Sequence, residues 1–456
     1  MSVAIALFTR DLRVHDNPVL HAACHAATDV VPLFVLDTAI LADGSVSPNR
    51  AVFLAEALAD LDAHLRTRGG HLVVRSGAVV EEVERIVADL GASEVHLASD
   101  VSGYSDRREQ ALRQRLASHG CTLRVHANTV TVVEPGTITP AGGRAHFAVF
   151  TPYYRRWVAA DTRGLLTAPG RITVPPIATE PLPDAQEICS GQRSPHLPRG
   201  GETAGRRILH SWLAGPIHDY EQAHDDLAAD GTSRLSPYLH FGCVSPTEAL
   251  RAVDRSTPGG EAFIRQLAWR DFHHQVLAAR PDTTTVDYRT RHDQWRHDET
   301  AARAWRDGHT GYPIIDAGMR QLHQEGWMHN RARLLTASFL TKTLYLDWRT
   351  GARHFLSLLV DADVANNQLN WQWVAGTGTD TRPNRILNPL RQAERYDPSG
   401  DYVRRYLPEL QDIPGRAVHQ PWKLDPHHRA RLHYPDPIID LREGADYFRT
   451  ARDKNR

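Results

Sequence analysis

The chain has 456 residues, 41% of them hydrophobic, and a net charge of −1. This allows two or three domains with a large core, and it excludes a disordered chain or a polycation that binds nucleic acid by bulk charge. Four scattered cysteines, Cys24, Cys121, Cys189 and Cys243, with no CxxC, argue against a disulfide framework or a zinc site, so a reducing, cytoplasmic setting is expected.

The first segment alternates. Residues 3–8 (VAIALF), 30–36 (VVPLFVL), 71–74 (HLVV), 94–98 (EVHLA) and 122–125 (TLRV) read as short buried strands. Residues 51–68 and 79–90 carry helical periodicity between them. The pattern predicts an α/β domain over 1–130, built on a parallel, doubly wound sheet covered on both faces. Arg10, Asp11 and Arg13 interrupt the first apolar run, so no signal peptide is expected, and no apolar run is long enough to span a bilayer. The turn after the first strand reads FTRDLRVHDNP. It lacks the glycines of a phosphate loop, which argues against a standard dinucleotide site there.

Residues 131–205 read as a long interdomain connector, with seven prolines in 168–205. Beyond residue 206 the strand signals stop. ILHSWLAG, PTEALRAVD, EAFIRQLAWRDFHHQVLAA, IIDAGMRQLHQEG and NRARLLTASFLTKTLYL predict a larger all-α domain over 206–456.

Three features of that domain carry chemistry. In DGTSRLSPYLHFG (230–242), Thr232, Ser233 and Ser236 surround Arg234 at an expected helix start. Free N–H groups, hydroxyls and a guanidinium make a phosphate cradle, although an ordinary helix cap with a surface arginine has the same composition. Asp361 and Asp363 precede Asn366 and Asn367. No histidine or third carboxylate stands at metal-ligand spacing, so no metal is expected. The pair could accept hydrogen bonds from a ribose, or from Arg270 or Arg333. Nine of the ten tryptophans follow residue 206. Core packing explains most buried tryptophans, but LNWQW sets Trp371 and Trp373 two apart in a polar stretch. Helical residues two apart face nearly opposite sides, so one ring goes to the interior and the other to a cavity or solvent.

LFTRDLRVHDNPVL (7–20), TSRLSPYLHFG, WRDF, GYPIIDAGMRQL, GWMHNRAR, DWR, NWQWVAGTGTD and YDPSGDYVRRYLPEL (396–410), in this order, resemble the photolyase/cryptochrome family of flavoproteins over most of the chain. The resemblance implies FAD in the helical domain. Thr232, Ser233, Arg234, Leu235 and Ser236 would hold its pyrophosphate, with Tyr220 nearby. Arg270, Asn330, Arg333, Asp361 and Asp363 would surround the rest, with Asn367 facing the redox-active ring nitrogen. Trp371, Trp348 and Trp295 match an electron-hopping chain, and Trp269 and Trp373 match the walls of a lesion cavity. Arg331 and Arg385 match contacts to DNA phosphates.

The implied activity is light-driven repair of cyclobutane pyrimidine dimers in UV-damaged DNA by a monomer, a carbon–carbon lyase reaction. The alternative is a blue-light photoreceptor of the cryptochrome type, with the same flavin and tryptophan chain but no repair. Asn367, the Trp269 and Trp373 pair and the short C-terminal tail favour repair. The α/β domain would hold an antenna chromophore near Asp37, Arg50 and Asp100, unless these are surface charges near strand ends. SDVSGYSDRRE (99–109) resembles members that bind 8-hydroxy-5-deazaflavin more than those that bind methenyltetrahydrofolate.

Two positions depart from the commonest dimer-repair pattern. Gln266 stands where the family usually has Glu, and an amide can hydrogen-bond to a dimer carbonyl but cannot share a proton with it. Leu334 replaces Met, a nearly volume-conserving change. The two histidines of the six-four branch, expected at Asn330 and Leu334, are not there.

Overall fold

The computed structural model describes residues 2–44 and 46–454. The five apolar runs form β1 (Val3–Leu7), β2 (Asp29–Asp37), β3 (Val73–Gly77), β4 (Glu94–Ala98) and β5 (Thr122–His126). All pair in parallel, in the order β3-β2-β1-β4-β5. The crossovers are α1 (Pro18–Ala26), α2 (Pro48–Arg66), α3 (Val79–Leu90) and α4 (Gly103–Ala117). The two-residue period of a strand divides β1 to β4 between two cores. Ala4, Ala6 and Phe34 join Phe53 and Leu61 of α2, while Ile5, Leu7 and Leu33 join Val83 of α3 and Leu112 of α4. The sheet is therefore doubly wound, and its strand order reverses at β1. A crevice at the carboxyl ends of β1 and β4 is the usual ligand position in such a sheet.

The proline-rich stretch after β5 is packed rather than loose. The Ile172 N–H donates to the Arg68 carbonyl, the Val30 N–H to Thr173 and the Glu180 N–H to Val74. Ile172 is buried in the core that lies under α2. Within this stretch, α5 (Phe150–Val158) buries Phe150, Tyr153 and Trp157.

No strand follows β5 among the described residues. The helices that matter for function are α6 (Glu202–Leu213), α7 (Ser236–His240), α8 (Pro258–Ala279), α9 (Pro313–Glu325), α10 (Asn330–Ser338), α11 (Trp348–Leu358), α12 (Val364–Ala375) and α13 (Leu441–Lys454). The Thr257 hydroxyl caps α8, with Pro258 in its first turn where a missing N–H costs nothing. The central α12 packs against α8, α10 and α11. The sheet and the helices share one core, which runs from Ala4 and Phe53 to Phe263 and Leu369. Gly242 marks the closest approach between the two halves. Its φ is 68°, and a Cβ there would lie 1.9 Å from the Arg10 carbonyl oxygen.

Candidate flavin and lesion site

The carboxylate of Asp363 caps α12. One oxygen accepts the Asn366 N–H at 2.8 Å, and the other takes Arg10 at 2.5 Å and faces His274 at 3.3 Å. Burial pushes this carboxyl up, but His274, Arg10 and Arg270 outweigh it and hold it well below the usual carboxylate range. Both oxygens are thus committed within the protein. Asp361 differs. Arg333 pairs with one oxygen at 2.8 Å, as the sequence allowed, while Oδ1 is buried with no hydrogen-bond partner.

Thr232 Oγ1 is also buried and unpartnered. Leu235 and Tyr220 are buried close by in sequence, and Ser236 opens α7 with its hydroxyl accepting the Trp327 indole N–H at 3.1 Å. Arg234 is already paired within the protein. Its backbone is left-handed, with φ at 51°. Its guanidinium is bound to Asp230 and Glu325, each at 2.7 Å, and lies 4.3 Å over the Trp327 ring. The hydroxyls of the cradle remain, but the cation is already neutralised. Arg270 donates to the carbonyls of Val130 at 2.6 Å and Leu239 at 3.2 Å. Asn330, in the first turn of α10, is exposed and makes no side-chain hydrogen bond among the described residues. Asn367 is buried, and its amide nitrogen donates to the Ala352 carbonyl at 3.1 Å while Oδ1 has no protein donor. The unpartnered Thr232 hydroxyl can donate to a phosphate, and the open Asp361 carboxylate oxygen can accept a hydroxyl or N–H, and FAD offers all of these.

The tryptophans separate as the helical spacing required. Trp371 is 2% exposed and meets Phe355 and Trp305 edge-on at 4.9 and 5.9 Å. Gly351 makes room for it, since a Cβ there would lie 2.1 Å from the ring. Trp373, on the other side of α12, is half-buried. Trp348 is fully buried in the first turn of α11, with its indole N–H on Asp287 at 2.9 Å. Trp295 is half-buried at 5.0 Å from Tyr345, beside the bridge between Arg296 and Leu346. This order of burial suits a path from the interior to the surface. Trp305, wholly buried against Trp371, is an aromatic neighbour that the motifs did not single out.

Trp269 is half-buried on α8, one turn after the exposed Gln266. Its ring stacks on Phe150 with centroids 3.7 Å apart and planes at 4°. Phe272 meets it edge-on at 5.5 Å, and Arg265 covers Phe150 at 5.0 Å. Phe150 was not visible as a site residue in the sequence, because it lies in the stretch read as connector. Arg331 already has a partner. It is paired with Asp225 at 2.5 Å and lies 4.3 Å over Tyr396, so its charge is not free for a phosphate. Arg385 and Arg382 are exposed and make no ion pair among the described residues. The Arg385 carbonyl accepts the Lys342 ammonium at 2.6 Å, and burial lowers that lysine to about 7.

At the sheet crevice, Asp37 ends β2, caps Ala39 and accepts the Tyr104 hydroxyl. Asp100 follows β4 and takes Arg10 at 3.1 Å. Arg50 does not join them. It reaches the carbonyls of Leu356 and Leu359 at 2.5 and 2.9 Å and so caps the last turn of α11, an interaction suited to a cation. Arg108 of α4 takes its place. It is 9% exposed, lies in the field of Asp100 and Asp37, and its Nε and Nη2 have no hydrogen-bond partner. Its position four residues after Tyr104, on the same helical face, is the only signal the sequence offers for it.

The family model described as DNA photolyase matches residues 4–173, and the one described as the FAD binding domain of DNA photolyase matches residues 263–453. The deoxyribodipyrimidine photo-lyase of Streptomyces griseus is 60% identical over 454 residues, covering 99% of each chain. A bacterial class III photolyase from Agrobacterium tumefaciens superposes with a TM-score of 0.92 at 32% identity, over 100% of this chain and 97% of that one. An archaeal photolyase from Sulfolobus tokodaii, solved with two FAD molecules, gives 0.83 at 31% identity over 100% of both chains. With the site geometry, these similarities establish that the chain belongs to the photolyase/cryptochrome family.

Proposed function

We propose that the chain is a light-driven DNA repair enzyme that splits cyclobutane pyrimidine dimers. FAD, when bound and reduced, supplies the photoexcitable one-electron donor. Thr232, Ser233 and Ser236 would hold its pyrophosphate, and Asp361 would accept a donor at its open Oδ1. Asn367 presents a neutral amide oxygen that no protein donor occupies, and it serves an N–H without adding charge.

The remaining steps belong to the chain's own side chains. The exposed part of the Trp269 ring gives an everted base a stacking surface, with Phe150 holding the ring plane from behind, and Trp373 offers a second aromatic wall. Such stacking is worth about 1–3 kcal/mol per base. Gln266 donates to a pyrimidine carbonyl but has no proton to give up. Arg385 and Arg382 hold phosphates, which positions the duplex without reading its sequence. Trp371, Trp348 and Trp295 would relay electrons, one at a time, from an external reductant such as a thiol at the surface toward oxidised FAD. The observation that carries this reading is the division on α12, where one indole is sealed in the core and another, two residues on, opens outward.

The crevice at β1 and β4 would take the antenna chromophore. The open Arg108 guanidinium asks for an oxygen-rich ring, which 8-hydroxy-5-deazaflavin supplies, with methenyltetrahydrofolate as the alternative. The enzyme would act as a cytoplasmic monomer.

The test is to illuminate an oligonucleotide carrying one thymine dimer together with FAD-loaded, reduced protein. Restored thymine, absent in the dark, is the expected result. Protein that binds FAD and photoreduces it but restores no thymine would be acting as a photoreceptor instead.

A further inference from the structure

A second cavity, of about 800 Å³, lies between the segment 386–391, the loop around Trp422 and the start of α13. None of the residues of the flavin, lesion or antenna sites lines it. Its size is that of an ordinary small-molecule site. Trp422 is half-buried in its wall, standing edge-on to Tyr312 at 5.5 Å. The Trp422 indole N–H has no hydrogen-bond partner among the described residues, whereas the Tyr312 hydroxyl is already spent on the Ile439 carbonyl at 2.6 Å. Leu387, Pro389 and Leu390 add apolar surface.

The rim is cationic. Arg391, Lys423 and Arg442 are exposed, and none of them makes an ion pair among the described residues. Arg449, also at the rim, is matched by Asp446 at 2.7 Å. The carboxylate in the lining, Asp440, is committed to capping α13, where it accepts the N–H groups of Arg442 and Glu443 at 2.8 and 3.1 Å. An indole wall with a free N–H, an apolar floor and three uncommitted cations together match a flat aromatic ring that bears a phosphate. Such a ring could stack on Trp422, with its phosphate against the guanidinium and ammonium groups.

We propose that this cavity binds a nucleotide. The nucleotide comes either as a free nucleoside phosphate or as part of a DNA strand, because the 386–391 wall continues directly from the exposed Arg385. The proposal does not depend on the repair chemistry.

The experiment titrates the FAD-loaded protein with adenosine 5′-monophosphate, with adenosine and inorganic phosphate as controls, and separately with an undamaged oligonucleotide. Saturable binding of the monophosphate is expected, with each half-molecule at least about tenfold weaker. Trp422→Ala should weaken it about tenfold or more, in line with the loss of one stacked base. Since Trp422 packs on Tyr312, a second variant, Arg391→Glu with Arg442→Glu, alters only exposed rim positions and should have the same effect with unchanged FAD content. If the variants weaken the oligonucleotide while the monophosphate does not bind, the nucleotide is that of the DNA strand, and the site stands. If both variants bind both ligands like the parent, the proposal is overturned, whatever the repair assay shows.

Discussion

Arg10 donates to Asp100 at 3.1 Å and to Asp363 at 2.5 Å, so one guanidinium ties the end of β4 to the cap of α12. The first acid lies at the sheet crevice and the second at the proposed flavin site. The turn FTRDLRVHDNP, which lacks phosphate-loop glycines, therefore carries a cation that locks the sheet crevice and the α12 cap into one frame.

Replacing that cation tests the lock. Arg10→Met leaves the mostly buried Asp363 with His274 and the more distant Arg270 as its remaining basic neighbours. Breaking a buried pair on one side costs about 3 kcal/mol. Urea unfolding should show a loss of that order, and FAD should dissociate faster. Asp100→Asn removes only the outer partner and should cost clearly less. Equal losses in the two variants would mean that the α12 cap does not need Arg10.

Gly351 and Trp371 give a second test. A Cβ at Gly351 would overlap the indole at 2.1 Å, and forcing a methyl into a packed core costs about 1–3 kcal/mol. Gly351→Ala should therefore lower stability by that amount and change the fluorescence of the buried indole. Trp371→Phe keeps an aromatic ring in place but removes the oxidisable indole. It should abolish blue-light bleaching of oxidised flavin while sparing dimer repair by protein reduced beforehand. Normal bleaching in this variant would remove Trp371 from the electron path.

Phe150 and Trp269 give a third. With Phe150 buried against one face of the indole, only the rest of that ring is open to a base. Trp269→Ala should weaken binding to dimer-containing DNA far more than to undamaged DNA. Phe150→Ala should show the same bias at a smaller size, and Phe150→Tyr should restore it. Tighter binding by Phe150→Ala would instead show that Phe150 obstructs the lesion.

How much of this was legible in the sequence depends on the range of each interaction. The strand runs were placed within about two residues, and residues 79–90 coincide with α3, because period and capping are local. Trp371 and Trp373 divided as the helical repeat required. The guanidinium partners were not legible. Arg234 meets Glu325, Arg331 meets Asp225 and Arg50 meets Leu356, pairs separated by 91, 106 and 306 positions. A long, flexible side chain takes whichever acceptor the tertiary fold brings near, and no local pattern announces it. How the connector docks was hidden for the same reason. Prolines suggested a spacer, but Ile172 and the backbone on either side of it dock on the sheet domain and its core.

The last prediction concerns acid. His273 and His329 are buried, and burial lowers both to about 4, although Asp225 and Asp230 pull His329 the other way. In the unfolded chain a histidine titrates near 6.5. Between these values the unfolded chain binds protons that the folded one refuses. The contribution of each group is therefore complete above about pH 6.5 and is lost as the pH falls toward 4. The slope is at most about 1.4 kcal/mol per pH unit for each histidine. Asp363 acts at lower pH, because its depressed carboxyl keeps stabilising the fold until strongly acidic conditions. His329 caps α10 by accepting the Arg331 N–H at 3.1 Å, and Asn can make the same bond without titrating. His329→Asn should thus fold with similar stability at pH 7 but lose less on acidification to pH 4, by the equivalent of one proton. Urea midpoints measured across that range decide the matter, and parallel curves for parent and variant would show that His329 is not a source of the acid sensitivity.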